Sequence, residues 1–239
     1  MKNIFLSFLL IIVFSNFSFA QKTINDANAE KRTVTSFHGI EVGTGIALTL
    51  TKGNLEEVAV SASETQYRDK IVTEVVNGIL KIHYETKTGA INRKNESKGL
   101  KAYVSYTSLD LLHVSTGAKV NIDGKLESPS LDLKANTGGL VNGEINIGTL
   151  KVDQNTGSKI TLTGKVDQMD AAGSTGSKFM GENLNTNSCK VEMSTGAGIY
   201  ISVEKQLSVK ANTGGYIKYK GGATINEIKT NTGGSISKI

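Results

Sequence analysis

Ser115-Thr116-Gly117 is followed by six near-copies: Asn136-Thr137-Gly138, Asn155-Thr156-Gly157, Ser174-Thr175-Gly176, Ser194-Thr195-Gly196, Asn212-Thr213-Gly214 and Asn231-Thr232-Gly233. Successive threonines lie 21, 19, 19, 20, 18 and 19 residues apart. A period held this constant is the signature of a solenoid, in which each repeat is one turn stacked on the last.

The flanks of the tripeptide say what the turns are made of. Four residues after each threonine stand Val120, Val141, Ile160, Phe179, Ile199, Ile217 and Ile236, all apolar and mostly β-branched. Four before it stand Leu112, Leu133, Val152, Ala171, Val191, Val209 and Ile228. Six before it come Leu131, Leu150, Met169, Cys189 and Leu207, with Asp110 and Asn226 as exceptions at the two ends. Between these columns lie polar residues such as Lys134, Asp153, Glu192, Lys210 and Lys229. Alternation of apolar and polar residues is a strand pattern, and no 3.6-residue stripe competes with it.

The sequence therefore predicts an all-β, single-stranded β-solenoid in which equivalent residues stack at the strand spacing of about 4.8 Å. The Ile and Val columns form a dry interior. Gly after Thr, and the small residue that follows (Ala118, Gly139, Ser158, Ser177, Ala197, Gly215, Gly234), suit a corner where glycine takes positive φ. The Ser or Asn before each Thr is expected to bond to turn backbone or to its copy in the next coil, as a corner ladder.

Upstream, residues 1–20 combine Lys2, the apolar run Ile4–Phe14 and the ending Ser18-Phe19-Ala20. This reads as a secretory signal peptide, too short in its apolar core for a span. The expected destination is the periplasm, the outer surface or the medium. Residues 21–35 read as a flexible lead-in, although alternation already begins at Thr33–Phe37. Residues 36–239 are then one solenoid, irregular over 36–108 and regular over 109–239. Gly43-Thr44-Gly45 resembles an early corner, and strands are expected at Glu57–Ala62, Ile79–Tyr84 and Lys101–Tyr106. Glu64–Val76 reads equally as helix or strand, and Lys87–Gly99 as an exposed loop.

Phe37-His38-Gly39-Ile40-Glu41-Val42, Ile46–Thr51 and Asn77-Gly78-Ile79-Leu80-Lys81-Ile82, followed by the Thr-Gly array, resemble the head GIN domain family. These are secreted proteins common in Bacteroidetes, conjectured to be the adhesin heads of auto-transporters. Many members carry Gly-Ser-Gly where this chain has Ser/Asn-Thr-Gly. The resemblance covers about Phe37 to Ile239 and implies a right-handed parallel β-helix outside the cytoplasm. It brings no catalytic residues.

Composition narrows the functions. Glycine occurs 26 times, proline once and tryptophan never, which fits continuous β structure turned by positive φ. The formal charge of +5 is spread without an arginine cluster, so nucleic acid is not the expected partner. Cys189 falls in an inward column and reads as a core thiol. His38, His83 and His113 are far apart and show no metal-ligand spacing, His113 reading as solvated. No cofactor motif is present. Among the acids Asp153 and Glu192 share a column, two coils apart, roughly 10 Å by strand spacing and near the upper limit for an inverting glycosidase pair.

The surface candidate is Tyr200, Tyr216, Lys218, Tyr219 and Lys220, where tyrosines can stack on a sugar ring or anchor a protein. Tyr219 shares a column with Leu162 and Ile201 and can equally face inward. A non-enzymatic surface interaction module for glycan or protein is the favoured reading. The competing readings are a carbohydrate-active enzyme on the same scaffold and a solenoid that self-associates through an open C-terminal edge.

Overall fold

A computed structural model describes residues 26–85 and 97–239. The signal peptide and most of the Lys87–Gly99 loop expected from sequence lie outside the described residues. The described chain is a parallel β-solenoid of about 7 turns of roughly 19 residues each.

In chain order the elements are β1 (Glu30–Arg32), β2 (Gly39–Val42), β3 (Ala47–Lys52), β4 (Glu57–Ser61), the single-turn helix α1 (Thr65–Arg68), β5 (Ile71–Val76), β6 (Ile79–Tyr84) and β7 (Lys101–Tyr106). The array follows as β8 (Leu111–Val114), β9 (Lys119–Ala135), β10 (Leu140–Gln154), β11 (Lys159–Gly173), β12 (Lys178–Met193) and β13 (Gly198–Ala211). Three shorter strands complete it: β14 (Tyr216–Lys220), β15 (Thr224–Thr230) and β16 (Ser235–Lys238).

The predicted columns are single files. Val120, Val141, Ile160, Phe179, Ile199, Ile217 and Ile236 are consecutive register partners. All but the last are buried. Leu112, Leu133, Val152, Ala171, Val191, Val209 and Ile228 form a second file. In the third file Cys189 lies between Met169 and Leu207, buried and free, and its surroundings push the thiol pKa well above the ordinary range by desolvation. The exception at Asn226 has a local cause. A register shift between Leu207 and Ser208 lets Ile225 pair with Leu207 and leaves Asn226 extra.

The corner differs from expectation in one respect. Threonine as well as glycine takes positive φ: Thr116 is at 49° and Gly117 at 72°, and the pattern recurs at every copy and at Thr44-Gly45. The Ala118 N–H donates to Ser115 O at 3.0 Å, closing a turn of the I′ kind, which needs positive φ at both central residues. A β-branched residue there costs about 1–2 kcal/mol. The compensation is a backbone ladder: each corner Gly N–H donates to the Thr carbonyl one coil on, from Gly45→Thr116 at 2.9 Å to Gly214→Thr232 at 3.2 Å. The side-chain ladder is present between Asn231 and Asn212 at 3.2 Å. At Asn155 the amide oxygen instead accepts from the neighbouring Thr156 N–H at 2.7 Å.

The N-terminal third is built out of order. β2 lies between β6 and β8, and β3 between β7 and β9, so the coil containing β6 and β7 stacks beneath the one that precedes it. Antiparallel strands then close this end: β4 on β7, β1 on β4, and β5 on β6. β1 lies inside the stretch expected to be a flexible lead-in, and it pairs because Glu30, Lys31 and Arg32 run along Val58–Val60. The alternation at Thr33–Phe37 does not produce a strand, although Phe37 is buried. Asp26 ties the lead-in down, accepting from the Tyr103 hydroxyl at 2.8 Å and from Lys101 at 3.2 Å. The bond from Tyr103 leads in lowering the Asp26 carboxyl pKa to about 2.

Candidate functional site

The predicted tyrosine and lysine residues sit on β13 and β14, whose register sets Tyr200 beside Lys218, Gly198 beside Tyr216 and Ile201 beside Tyr219. Inward Ile217 fixes the parity of the strand, so Tyr216 and Lys218 face out and Lys220 lies on the same side. Tyr219 points the other way and packs partly against the core, so it is not part of the outward patch.

Tyr200 and Tyr216 meet edge to face, with ring centroids 6.1 Å apart and planes at 79°. The Lys218 ammonium stands 5.3 Å from the Tyr200 ring centroid, within cation–π range. What makes room is Gly198. Its file carries Lys159 and Lys178 in the two preceding coils, and a Cβ at Gly198 would lie 1.9 Å from the Tyr216 ring. The ring lies down over bare backbone, one face against the protein and the other turned outward. The result is a half-buried aromatic step with an ammonium beside it. It suits the C–H face of a sugar ring or an apolar side chain with an acidic neighbour.

A second feature lies on another face. A shallow depression of about 330 Å³ is lined by Glu41, Lys81, His83, His113, Ser115 and Lys134, among others. Gly43, which stands where the other corners carry Ser or Asn, also lines it. His113, expected to be solvated, is half-buried, with Nδ1 3.3 Å from Glu41 Oε1 and a buried Nε2 without a partner. His83 and His113 reach one rim only because β6 and β8 both flank β2. His38 is separate, with Nδ1 2.7 Å from Asp110 Oδ1. Among the described residues no three His, Cys, Asp or Glu side chains gather as a metal site.

The acids stack with bases. Asp132, Lys151, Asp170 and Lys190 alternate along one outward file, the order that avoids like charges one strand spacing apart. Asp153 and Glu192 share a file with Ala172 between them, which keeps them about 10 Å apart.

Residues 36–223 match the family described as "Putative auto-transporter adhesin, head GIN domain". The chain belongs to this family. The head GIN chain is also similar to solved structures at low identity. A "putative adhesin" from Bacteroides fragilis superposes with TM-score 0.78 at 18% identity, covering 88% of this chain and 96% of that one. A "putative adhesin" from Parabacteroides merdae gives TM-score 0.69 at 14% identity, covering 88% and 95%. A "putative lipid binding protein" from Parabacteroides distasonis gives 0.66 at 18% identity, covering 90% and 98%. At such identities the likeness establishes the fold. No protein among those with curated functions matches the head GIN chain. No helix among the described residues is long and apolar enough to cross a membrane.

Proposed function

We propose that this head GIN chain is an exported, non-enzymatic, adhesin-like interaction module that engages a surface glycan or protein through Tyr200, Tyr216 and Lys218, with Lys220 at the margin. The observation that carries the placement is the aromatic step itself: Tyr216 laid over Gly198, edge to Tyr200, in a file that carries lysine in the two preceding coils. Family membership supports the adhesin-like class, and the signal-like residues 1–20 support export to the periplasm, surface or medium.

The test is retention on a glycan array and on whole cells. Wild-type protein is expected to be retained, and Tyr216→Ala and Lys218→Glu to lose on the order of tenfold or more, the scale of a hot-spot residue. Retention unchanged in both variants removes the patch. Turnover of a polysaccharide panel by the purified protein replaces the binding reading with an enzymatic one.

A further inference from the structure

The two ends of the solenoid are finished differently, and the C-terminal end carries the pattern of a two-fold junction. Among the described residues β15 pairs only with β13 and β16 only with β14, leaving the outer edges of both strands without a paired strand. Two apolar side chains are conspicuously open at this end: Ile228 is 51% exposed although its file is the buried one of Val191 and Val209, and Ile239 is 57% exposed. Edges of this kind template pairing with another chain.

Backbone parity says which groups are offered. The Asn231 N–H donates back to Ala211 O, so Lys229 and Glu227, at the same parity, also turn their backbone groups toward β13. Ile228 and Thr230, at the opposite parity, direct theirs to the open edge. In antiparallel pairing such an outward residue makes the hydrogen-bonded pairs, and its neighbours make the non-hydrogen-bonded pairs, whose side chains come closest. Glu227 and Lys229 flank Ile228 symmetrically. A two-fold axis through Ile228 therefore sets Glu227 against the partner's Lys229 and Lys229 against the partner's Glu227. The opposite charges meet at the closest pairs, and the two exposed isoleucines meet at the axis.

A head-to-tail stack lacks this fit. Among the described residues the N-terminal end finishes in two antiparallel edge strands: β1, three charged residues, and β5, which pairs only with β6 and carries Glu74 along its length. Short charged edge strands resist further pairing.

We propose that a second copy of this chain covers the C-terminal edge in an isologous, tail-to-tail dimer, β15 antiparallel to the partner's β15 and centred on Ile228. The register shift at Asn226 limits the paired stretch. The dimer is independent of what ligand the tyrosine patch binds.

Sedimentation equilibrium of the purified protein tests this with three variants. The wild type sediments as a dimer. Glu227→Lys sets ammonium against ammonium at both symmetric positions and raises the dimer dissociation constant on the order of tenfold. Adding Lys229→Glu to it restores the pairs and the wild-type constant. Ile228→Asp gives a monomer whose far-UV circular dichroism keeps the β signature. A wild type that stays monomeric at high concentration overturns the proposal, as does a mass that grows without limit. A dimer that the charge reversal leaves unchanged, or that the double reversal fails to restore, overturns the register.

Discussion

The N-terminal third and the Thr-Gly array use the same strands and the same corner but stack them by different rules. From β8 onward each coil rests on the one before it, and register partners lie one repeat apart in sequence. Before β8, β2 partners residues 40 further on in β6 and 72 further on in β8, as the pairs Gly39–Ile79 and Gly39–Leu111 show. Antiparallel strands then seal the outer edges. The array shows how a file of aliphatics propagates; the N-terminal third shows how such a file is ended. Of its two edge strands among the described residues, Glu30–Arg32 offers only charge and Ile71–Val76 leaves Val76 38% exposed, whereas the last coils of the array leave Ile228 half open.

The sharpest way to break the comparison is in mid-file. Phe179→Ala should cost about 3–5 kcal/mol in urea denaturation, because Phe179 is fully buried between Ile160 and Ile199. Ile228→Ala, in the companion file at the exposed end, should cost well under half of that. Equal losses at the two sites would mean that the end is as enclosed as the middle.

The corner offers a test in which one substitution changes sign between regions. Thr195 sits at φ 49° and is exposed, so Thr195→Asn relieves the β-branched strain and should stabilise by up to about 1 kcal/mol. Thr44 shares the conformation, but its hydroxyl accepts the Tyr84 N–H at 2.8 Å. Thr44→Asn disturbs that bond and should destabilise by about 1 kcal/mol. Thermal melts of the two variants read the sign directly; a shift in the same direction for both contradicts the distinction.

Much of the array was legible in sequence because its neighbours in space are one period apart in the chain. The three files, the buried Cys189 and the early corner at Thr44 all follow from counting. Positive φ at threonine did not, since a β-branched side chain argues against that conformation and only the Gly N–H to Thr carbonyl ladder compensates for it. The inverted coil order leaves no period to count, so the meeting of His83 and His113 beside Gly43 was invisible. Glu64–Val76 looked ambiguous because it holds both a helical turn and a strand. Glu30–Arg32 looked structureless because its apolar contribution is nil and its partner strand is some 30 residues away. In the surface patch, Tyr200, Tyr216 and Lys218 were visible as residue types, but the role of Gly198 was not.

A smaller effect marks the N-terminal anchor. The folded Asp26 pKa is depressed from 3.8 to about 2, so its contribution is present above about pH 4 and is lost as pH falls through about 2. Tyr103→Phe removes the leading bond and should destabilise by about 1 kcal/mol at neutral pH. The difference from wild type should shrink below pH 3. A difference independent of pH would assign the loss to packing instead. Least of all in energy, Cys189 should resist thiol reagents in the native protein and react on unfolding, as a desolvated thiol within a closed file must. Rapid native labelling would place it outside the interior.

The stacking itself is tested most directly by disulfide trapping along the outward corner file. Asn155 and Ser174 occupy adjacent coils, about 4.8 Å apart, within reach of a bridge, whereas Asn155 and Ser194 are two coils apart and beyond it. Under mild oxidation the pair Asn155→Cys/Ser174→Cys should close rapidly and the pair Asn155→Cys/Ser194→Cys should stay open. Equal closure of the two pairs, or closure of the second alone, contradicts a chain wound one repeat per layer.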